Sequence, residues 1–202
     1  MKKSIVGIFI FLLFSLFLYF SISAVDLYIC NKTAGEMKDF TQTEYLRIKL
    51  YGSSFTEEGD TVSGTFSIID TNGNEIAVIE RSWNGAYLGV DFSELKLNGC
   101  KYIFPSKIYG KKSIVQSQHK ITKGTSLEKY YNENGQCILL GYSSSKQQRK
   151  NLYKLARFTL SKKNIFSFKY KKTLTIDLSS CINGKYYSIV SVPSGNLLLR
   201  EL

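Results

Sequence analysis

The chain has 202 residues and a formal net charge of +11. It carries four cysteines, no two spaced as CxxC, and a single histidine, which argues against zinc-ribbon and thioredoxin-like classes. Its length fits one domain behind a short leader, with enough chain to bury a real core.

Met1-Lys2-Lys3 opens the chain, and an apolar run over residues 5–20 follows, relieved by Gly7 and Ser15. A short positive stretch, a greasy core and small residues at its end (Ser21, Ser23, Ala24) are the three parts of a secretory signal. Cleavage is expected after Ala24, so residues 1–24 read as a signal peptide or membrane anchor and residues 25–202 as one β-rich domain. Residues 4–25 also suffice for a retained anchor, since a bilayer takes roughly 20 apolar residues. Asp26 precedes the first cysteine, Cys30, where a lipoprotein signal is small and neutral. The domain is therefore expected in the periplasm, at the cell surface or outside the cell. There, an even cysteine count reads as two disulfides among Cys30, Cys100, Cys137 and Cys181, with three pairings open. The bland alternative is buried thiols, which pack as small hydrophobes.

Residues 44–104 carry the clearest strand pattern. Val62, Gly64, Phe66 and Ile68 alternate with Thr61, Ser63, Thr65 and Ser67, the period of a half-buried strand. Residues 70–74 interrupt that pattern, and residues 76–79 resume it. Leu88, Val90 and Phe92 alternate with Tyr87, Gly89 and Asp91. Asn-Gly pairs stand at Asn72-Gly73, Asn84-Gly85 and Asn98-Gly99, and this pair favours tight hairpins because both central residues take positive φ. The pattern predicts an antiparallel meander. Residues 102–109 and 113–121 read as further strands, the first ending at Pro105, and residues 137–142 form a short apolar run.

The period then changes. Leu152, Leu155, Ala156 and Thr159 share one helical face, and Lys146, Lys150, Lys154 and Arg157 lie opposite. Ser145 and Gln148 match a capping box, so one amphipathic helix is expected over residues 146–160. Phe166, Phe168 and Tyr170, then Leu174, Ile176 and Leu178, alternate again. Asn183-Gly184 supplies a fourth Asn-Gly turn, and residues 193–196 a turn before the apolar residues 197–199. The expected fold is mainly β, an antiparallel meander in a small barrel or sandwich with one amphipathic helix; the alternative class is α+β.

Val62-Ser63-Gly64-Thr65-Phe66, the Ile-Glu-Arg-Ser-Trp-Asn-Gly run at 79–85 and the Tyr-Ile-Phe-Pro-Ser-Lys-Ile-Tyr-Gly run at 102–110 resemble a group of uncharacterised exported proteins of spirochaete bacteria. The resemblance covers about a quarter of the chain. It implies a bacterial, exported protein and carries no activity with it.

No catalytic or cofactor motif stands out, and no cofactor or metal is expected. The one arrangement with an enzymatic reading is His119, Cys181 and Arg200, whose order resembles that of a sortase, a cell-envelope cysteine transpeptidase. Cys181 would be the nucleophile, His119 its acid/base partner and Arg200 an oxyanion stabiliser. Leu178-Ser179-Ser180 stands where that family has Thr-Leu-x-Thr, so the match is one of order only. Glu57, Glu58 and Asp60 read as a solvated loop, because their spacing lacks the regular ligand offsets of a calcium loop. Trp83 and the 14 tyrosines read as core and cross-strand fillers before they read as sugar platforms.

Charge is segregated along the chain. Residues 25–100 hold six basic and twelve acidic side chains, and residues 101–202 hold nineteen basic and four acidic. Residues 134–176 carry ten basic side chains, including Lys162, Lys163, Lys169, Lys171 and Lys172, and no acid. In an exported protein, such a bias points to anionic lipid or polysaccharide before nucleic acid, which is not expected as a partner. The stripe Lys146, Lys150, Lys154 and Arg157 is the candidate anion-binding surface. The expectation is an exported envelope-associated binding module rather than an enzyme.

Overall fold

The computed structural model of the chain describes residues 2–38, 40–56, 59–113, 124–161, 167, 169–192 and 195–202, with side chains from residue 8 onward except those of 55 and 56. Helix α1 runs Lys2–Glu36. The strands are β1 (Glu44–Thr56), β2 (Gly59–Ile69), β3 (Glu75–Asn84), β4 (Tyr87–Leu97), β5 (Cys100–Lys111), β6 (Thr125–Ser126), β7 (Asn132–Glu133), β8 (Gln136–Cys137), β9 (Lys171–Asp177), β10 (Tyr186–Ser191) and β11 (Leu197–Glu201). Two more helices, α2 (Glu128–Tyr131) and α3 (Lys146–Leu160), lie between β6 and β9. The expected strand over residues 113–121 falls almost wholly outside the described residues, as do Glu57, Glu58, His119, Lys162, Lys163, Phe166 and Phe168.

The class is mainly β, with antiparallel pairing throughout the described ladders. One sheet has five strands in the order β11-β10-β1-β2-β3, a second has four in the order β6-β5-β4-β9, and β7 and β8 form a small hairpin. The predicted meander is divided: β1-β2-β3 run as consecutive antiparallel neighbours in the larger sheet, and β4-β5 pair in the smaller one. Both edges of the larger sheet approach the smaller one, β3 along β5 and β11 near β9. Side chains tie the first seam: Arg81 and the buried Trp83 of β3 both donate to Thr125 Oγ1 in β6, at 3.2 and 3.0 Å. Between the sheets lies one core, in which Tyr45 of β1 meets Phe92 of β4 edge-on at 5.7 Å. Trp83 packs edge-on against Phe66 at 5.3 Å, so it serves the core.

The Asn-Gly pairs divide into two kinds. Asn98 and Gly99, at φ 51° and 79°, make the tight turn of the β4-β5 hairpin. Asn134 and Gly135, at 48° and 72°, do the same between β7 and β8, strands of two residues each and too short for any alternation to mark. Asn84-Gly85 is not a hairpin: β3 and β4 belong to different sheets, and the chain crosses between them at this point. Here a Cβ on Gly85 would sit 2.7 Å from the Lys111 backbone, so the close approach demands glycine. Asn183-Gly184 likewise precedes a change of sheet, from β9 to β10.

Pro105 does not end its strand. It sits inside β5 opposite Phe92, where the register shifts between Asp91 and Phe92, and a bulge is where a strand tolerates a missing donor. Ser106 Oγ donates to the Asp91 carbonyl at 2.8 Å beside it. The apolar run after Cys137 is a single 3₁₀ turn, Ile138–Leu140, packed into the core.

Helix α3 follows the sequence closely. Ser145 Oγ accepts from the Gln148 amide and Gln148 Oε1 accepts from the Ser145 amide, a complete capping box. Leu152, Leu155, Ala156, Phe158 and Thr159 are buried, and Lys146, Lys150, Lys154 and Arg157 are exposed. Its core face, aliphatic apart from Phe158, Asn151 and Thr159, packs against β4, β5 and β8 as well as α1.

The two expected disulfides are not formed. Cys30, Cys100, Cys137 and Cys181 are all free thiols. Cys30 and Cys137 are buried within the hydrophobic core, where a thiol packs as a small apolar group, which is the bland alternative for these cysteines.

Candidate functional site

The site with the strongest physical character lies where α1 meets α3. Helix α1 does not stop at Ala24. It continues unbroken to Glu36, and Ser23, Cys30, Thr33, Ala34 and Met37 are buried at helical spacing along one face. Three side-chain contacts pin this part of the chain. Tyr102 Oη donates to the carbonyls of Ala34 and Met37, at 2.9 and 3.2 Å. Asn98 Nδ2 donates to the Asn31 carbonyl at 2.9 Å, and Asn151 Nδ2 of α3 donates to Glu36 Oε2 at 2.8 Å. The Tyr102 bonds fall at the last turn and just past it, the Asn98 bond lies a turn earlier, and the Asn151 bond holds the Glu36 carboxylate.

Upstream the helix leaves the domain. Every side chain over residues 8–20 is exposed, and nearly all are large and apolar. An 18-residue window within Ile8–Glu36 reaches a mean hydropathy of 2.5, so the helix is long and apolar enough to cross a membrane. Residues 4–22 measure about 28 Å at 1.5 Å per residue, close to the roughly 30 Å hydrocarbon thickness of a bilayer.

Helices α1 and α3 run antiparallel. Glu36 meets Asn151 in the first half of α3, whereas Tyr19, Ile22 and Asp26 face Lys154, Arg157 and Phe158 near its end. A groove of about 430 Å³ lies between them. Its apolar wall includes Tyr19, Ile22, Ile29 and Phe158. Lys171 of β9 donates to the Ser161 carbonyl at 2.8 Å, with its ammonium 4.6 Å from the Phe158 ring centroid. Burial pulls the Lys171 ammonium down to about 8, opposed in part by Cys30.

The predicted stripe is present, and it has a direction. Among the described residues, Lys146, Lys150, Lys154 and Arg157 make no ion pair. Arg149, on the same helix, is occupied differently: it donates to Gln136 Oε1 and to the Tyr142 and Ser144 carbonyls, holding the preceding loop. Lys154 and Arg157 line the groove beside α1. Lys146 lies eleven residues before Arg157, about 16 Å along the axis and some two screening lengths away at physiological salt.

The alternative constellation has no such support. Cys181 lies in the loop after β9, and burial, with the Asp177 carboxylate adding to it, pushes its thiol up to about 11. A nucleophilic cysteine instead sits in electropositive surroundings that lower its pKa. Burial works to raise Asp177 too, but the ammonium of Lys111, 2.6 Å away, and hydrogen bonds from Ser179 together outweigh it and hold that carboxyl below its ordinary value. Arg200 is exposed on the edge strand β11, and His119 lies outside the described residues. Among the described residues, no cluster of three or more His, Cys, Asp or Glu is arranged to hold a metal.

Lys154, Arg157 and Lys171 belong to the basic segment legible in the sequence, whereas the parts played by Tyr19, Ile22, Asp26 and Phe158 are not. A usable signal was there: Ser23, Cys30, Ala34 and Met37 recur at the helical period, which extends α1 past Ala24 and brings its flank against another element. No protein family, curated protein or solved structure matches this chain.

Proposed function

We propose that the chain is an exported β domain anchored by α1, and that it lies on an anionic lipid surface through the basic face of α3. The observation that carries this reading is the position of Lys154 and Arg157. They stand beside the point where the apolar helix leaves the domain. A membrane around residues 4–22 would bring the C-terminal end of α3, with Lys169 and Lys172, to the headgroup layer. Tyr19 and Tyr28 fall near the same level, where amphipathic rings are favoured. Each basic residue close to an anionic leaflet contributes on the order of 1 kcal/mol. Lys2 and Lys3 at the far end fit an orientation with the domain outside. Helix α1 is retained in this proposal, because cleavage after Ala24 would cut a continuous helix and remove Tyr19, Ile22 and Ser23 from the groove.

Lysine acylation of the full chain in nanodiscs tests the surface. Phosphatidylglycerol discs should protect Lys154 most, Lys150 less and Lys146 least, and phosphatidylcholine discs should protect none of them. Protection should vanish at 1 M salt, where the screening length is about 3 Å. Equal reactivity in the two lipids sinks the surface reading. A native protein that begins at Val25 and is recovered from the medium sinks the anchor.

A further inference from the structure

We infer that the groove between α1 and α3 is a binding site for one anionic phospholipid, held by its phosphate on Lys154 and Arg157 and by its chains along α1. The inference rests on the membrane reading above but asks for more than a diffuse attraction: a single bound molecule in a defined place.

The chemistry of the walls selects the occupant. Two side chains, Lys154 and Arg157, offer cationic heads without an ion-pair partner among the described residues. Lys171 adds a third positive group behind Phe158, drawn toward it by the ring face and the Ser161 carbonyl. Asp26 is the opposing carboxylate on the α1 side, so the groove holds more cation than anion. The apolar wall of Tyr19, Ile22 and Phe158 is continuous with the exposed apolar helix over residues 8–18. A soluble phosphate would satisfy the cations and leave that wall wet. A zwitterionic lipid would cover the wall but bring its own cation to Lys154 and Arg157. Only an anionic amphiphile answers both halves. The volume, about 430 Å³, is within the usual range for small-molecule sites. Arginine provides the planar fork that pairs with two phosphate oxygens at once, and lysine a mobile point charge.

The position matters as much as the composition. The groove opens at the level where α1 leaves the domain, so a lipid in the outer leaflet reaches it by lateral movement with its tails still in the bilayer. The bound lipid would fill the gap between the anchor and α3.

The test uses the full chain in dodecyl maltoside with equimolar phosphatidylglycerol and phosphatidylcholine, read by native mass spectrometry. The parent should retain one phosphatidylglycerol per chain in preference to phosphatidylcholine. K154Q/R157Q should lower that occupancy by about tenfold or more. K49Q/K96Q removes the same charge from positions outside the groove and should leave occupancy near the parent's. K146Q/K150Q should lose much less than K154Q/R157Q. Equal retention of both lipids by the parent overturns the site. Equal losses in K154Q/R157Q and K146Q/K150Q also overturn it, while leaving the surface reading intact. Lysine protection in phosphatidylglycerol nanodiscs without a retained lipid has the same meaning. Absence of that protection removes the surface reading itself.

Discussion

Helix α1 contains two regions of similar backbone and opposite circumstances. Over residues 8–20 every side chain faces outward, and the surface is Ile, Phe, Leu and Tyr on all sides. From Ser23 to the helix end, one face is buried against the domain, with Asp26 bordering the groove on that side, and the opposite face exposes Tyr28 and Lys32. The second region is stable by the ordinary means of a globular protein, an apolar stripe on a core with its terminal carbonyls satisfied. The first region has no such stripe, because no face of it is polar. A helix that is hydrophobic all round belongs in a larger core or in a bilayer. The difference teaches that one continuous helix passes from a docked, amphipathic region to an exposed, all-apolar one, and that the change lies near Ile22.

Substitutions in the two regions should therefore separate cleanly. The largest effect is expected at Met37, buried just past the helix end beside Tyr102. Met37→Ala should cost about 2–5 kcal/mol in urea unfolding of the detergent-solubilised chain. A loss under 1 kcal/mol would mean that the end of α1 is not docked as described. Tyr102→Phe comes next. Its hydroxyl bridges two carbonyls in a buried setting, and its loss should cost about 1–3 kcal/mol. Hydrogen exchange should quicken over residues 30–37 and stay unchanged over β2 and β3. Uniform quickening would show that α1 and the sheets unfold as one unit.

Lys171 gives a smaller effect with a defined sign. Its folded value of about 8 lies below its ordinary 10.5, so folding disfavours its charge. Between these values the unfolded chain holds a proton that the folded chain has released, and stability rises with pH. Below about pH 8 both states are protonated and the destabilisation is fully present. The urea midpoint of the parent relative to Lys171→Met should climb from pH 8 to 10. A relative midpoint that is flat or falling across that window would show that Lys171 is solvated. The smallest effect is expected at Phe11. Phe11→Ala should leave the unfolding free energy in urea within about 0.5 kcal/mol of the parent's, since no domain contact is lost. A larger shift would mean that residues 8–20 also pack on the domain.

The parts of the fold that were legible in sequence are those set by local rules. The α3 boundaries follow from Ser145 and Gln148, and its buried face follows from the spacing of Leu152, Leu155 and Ala156. The β2-β3 hairpin follows from alternation on both sides of Asp70, whose carboxylate accepts from the amides of Asn72 and Asn74 at 2.8 Å each. What was not legible depends on pairing at a distance. Asn84-Gly85 has the same letters as Asn98-Gly99, yet one crosses between sheets and the other closes a hairpin, because the letters report only local φ. Pro105 reads as a strand end until the bulge opposite Asp91 and Phe92 is seen. In the site, the cations were visible as a stripe, but the groove was not. A groove between residues 19–30 and residues 154–161 exists only once α1 is known to continue and to run against α3.

The uninterrupted course of α1 has a mechanical consequence. Residues 8–34 contain neither glycine nor proline, the usual places where a helix bends. The Tyr102, Asn98 and Asn151 hydrogen bonds fasten its end to the sheets and to α3. Domain and helix therefore move as one lever. A domain on a loose tether samples all orientations, whereas this one holds a fixed height and heading relative to its rod. Any tilt of the rod swings the outer face of the five-stranded sheet through the same angle, so on the anchored reading proposed above, bilayer thickness would set which surface the protein presents.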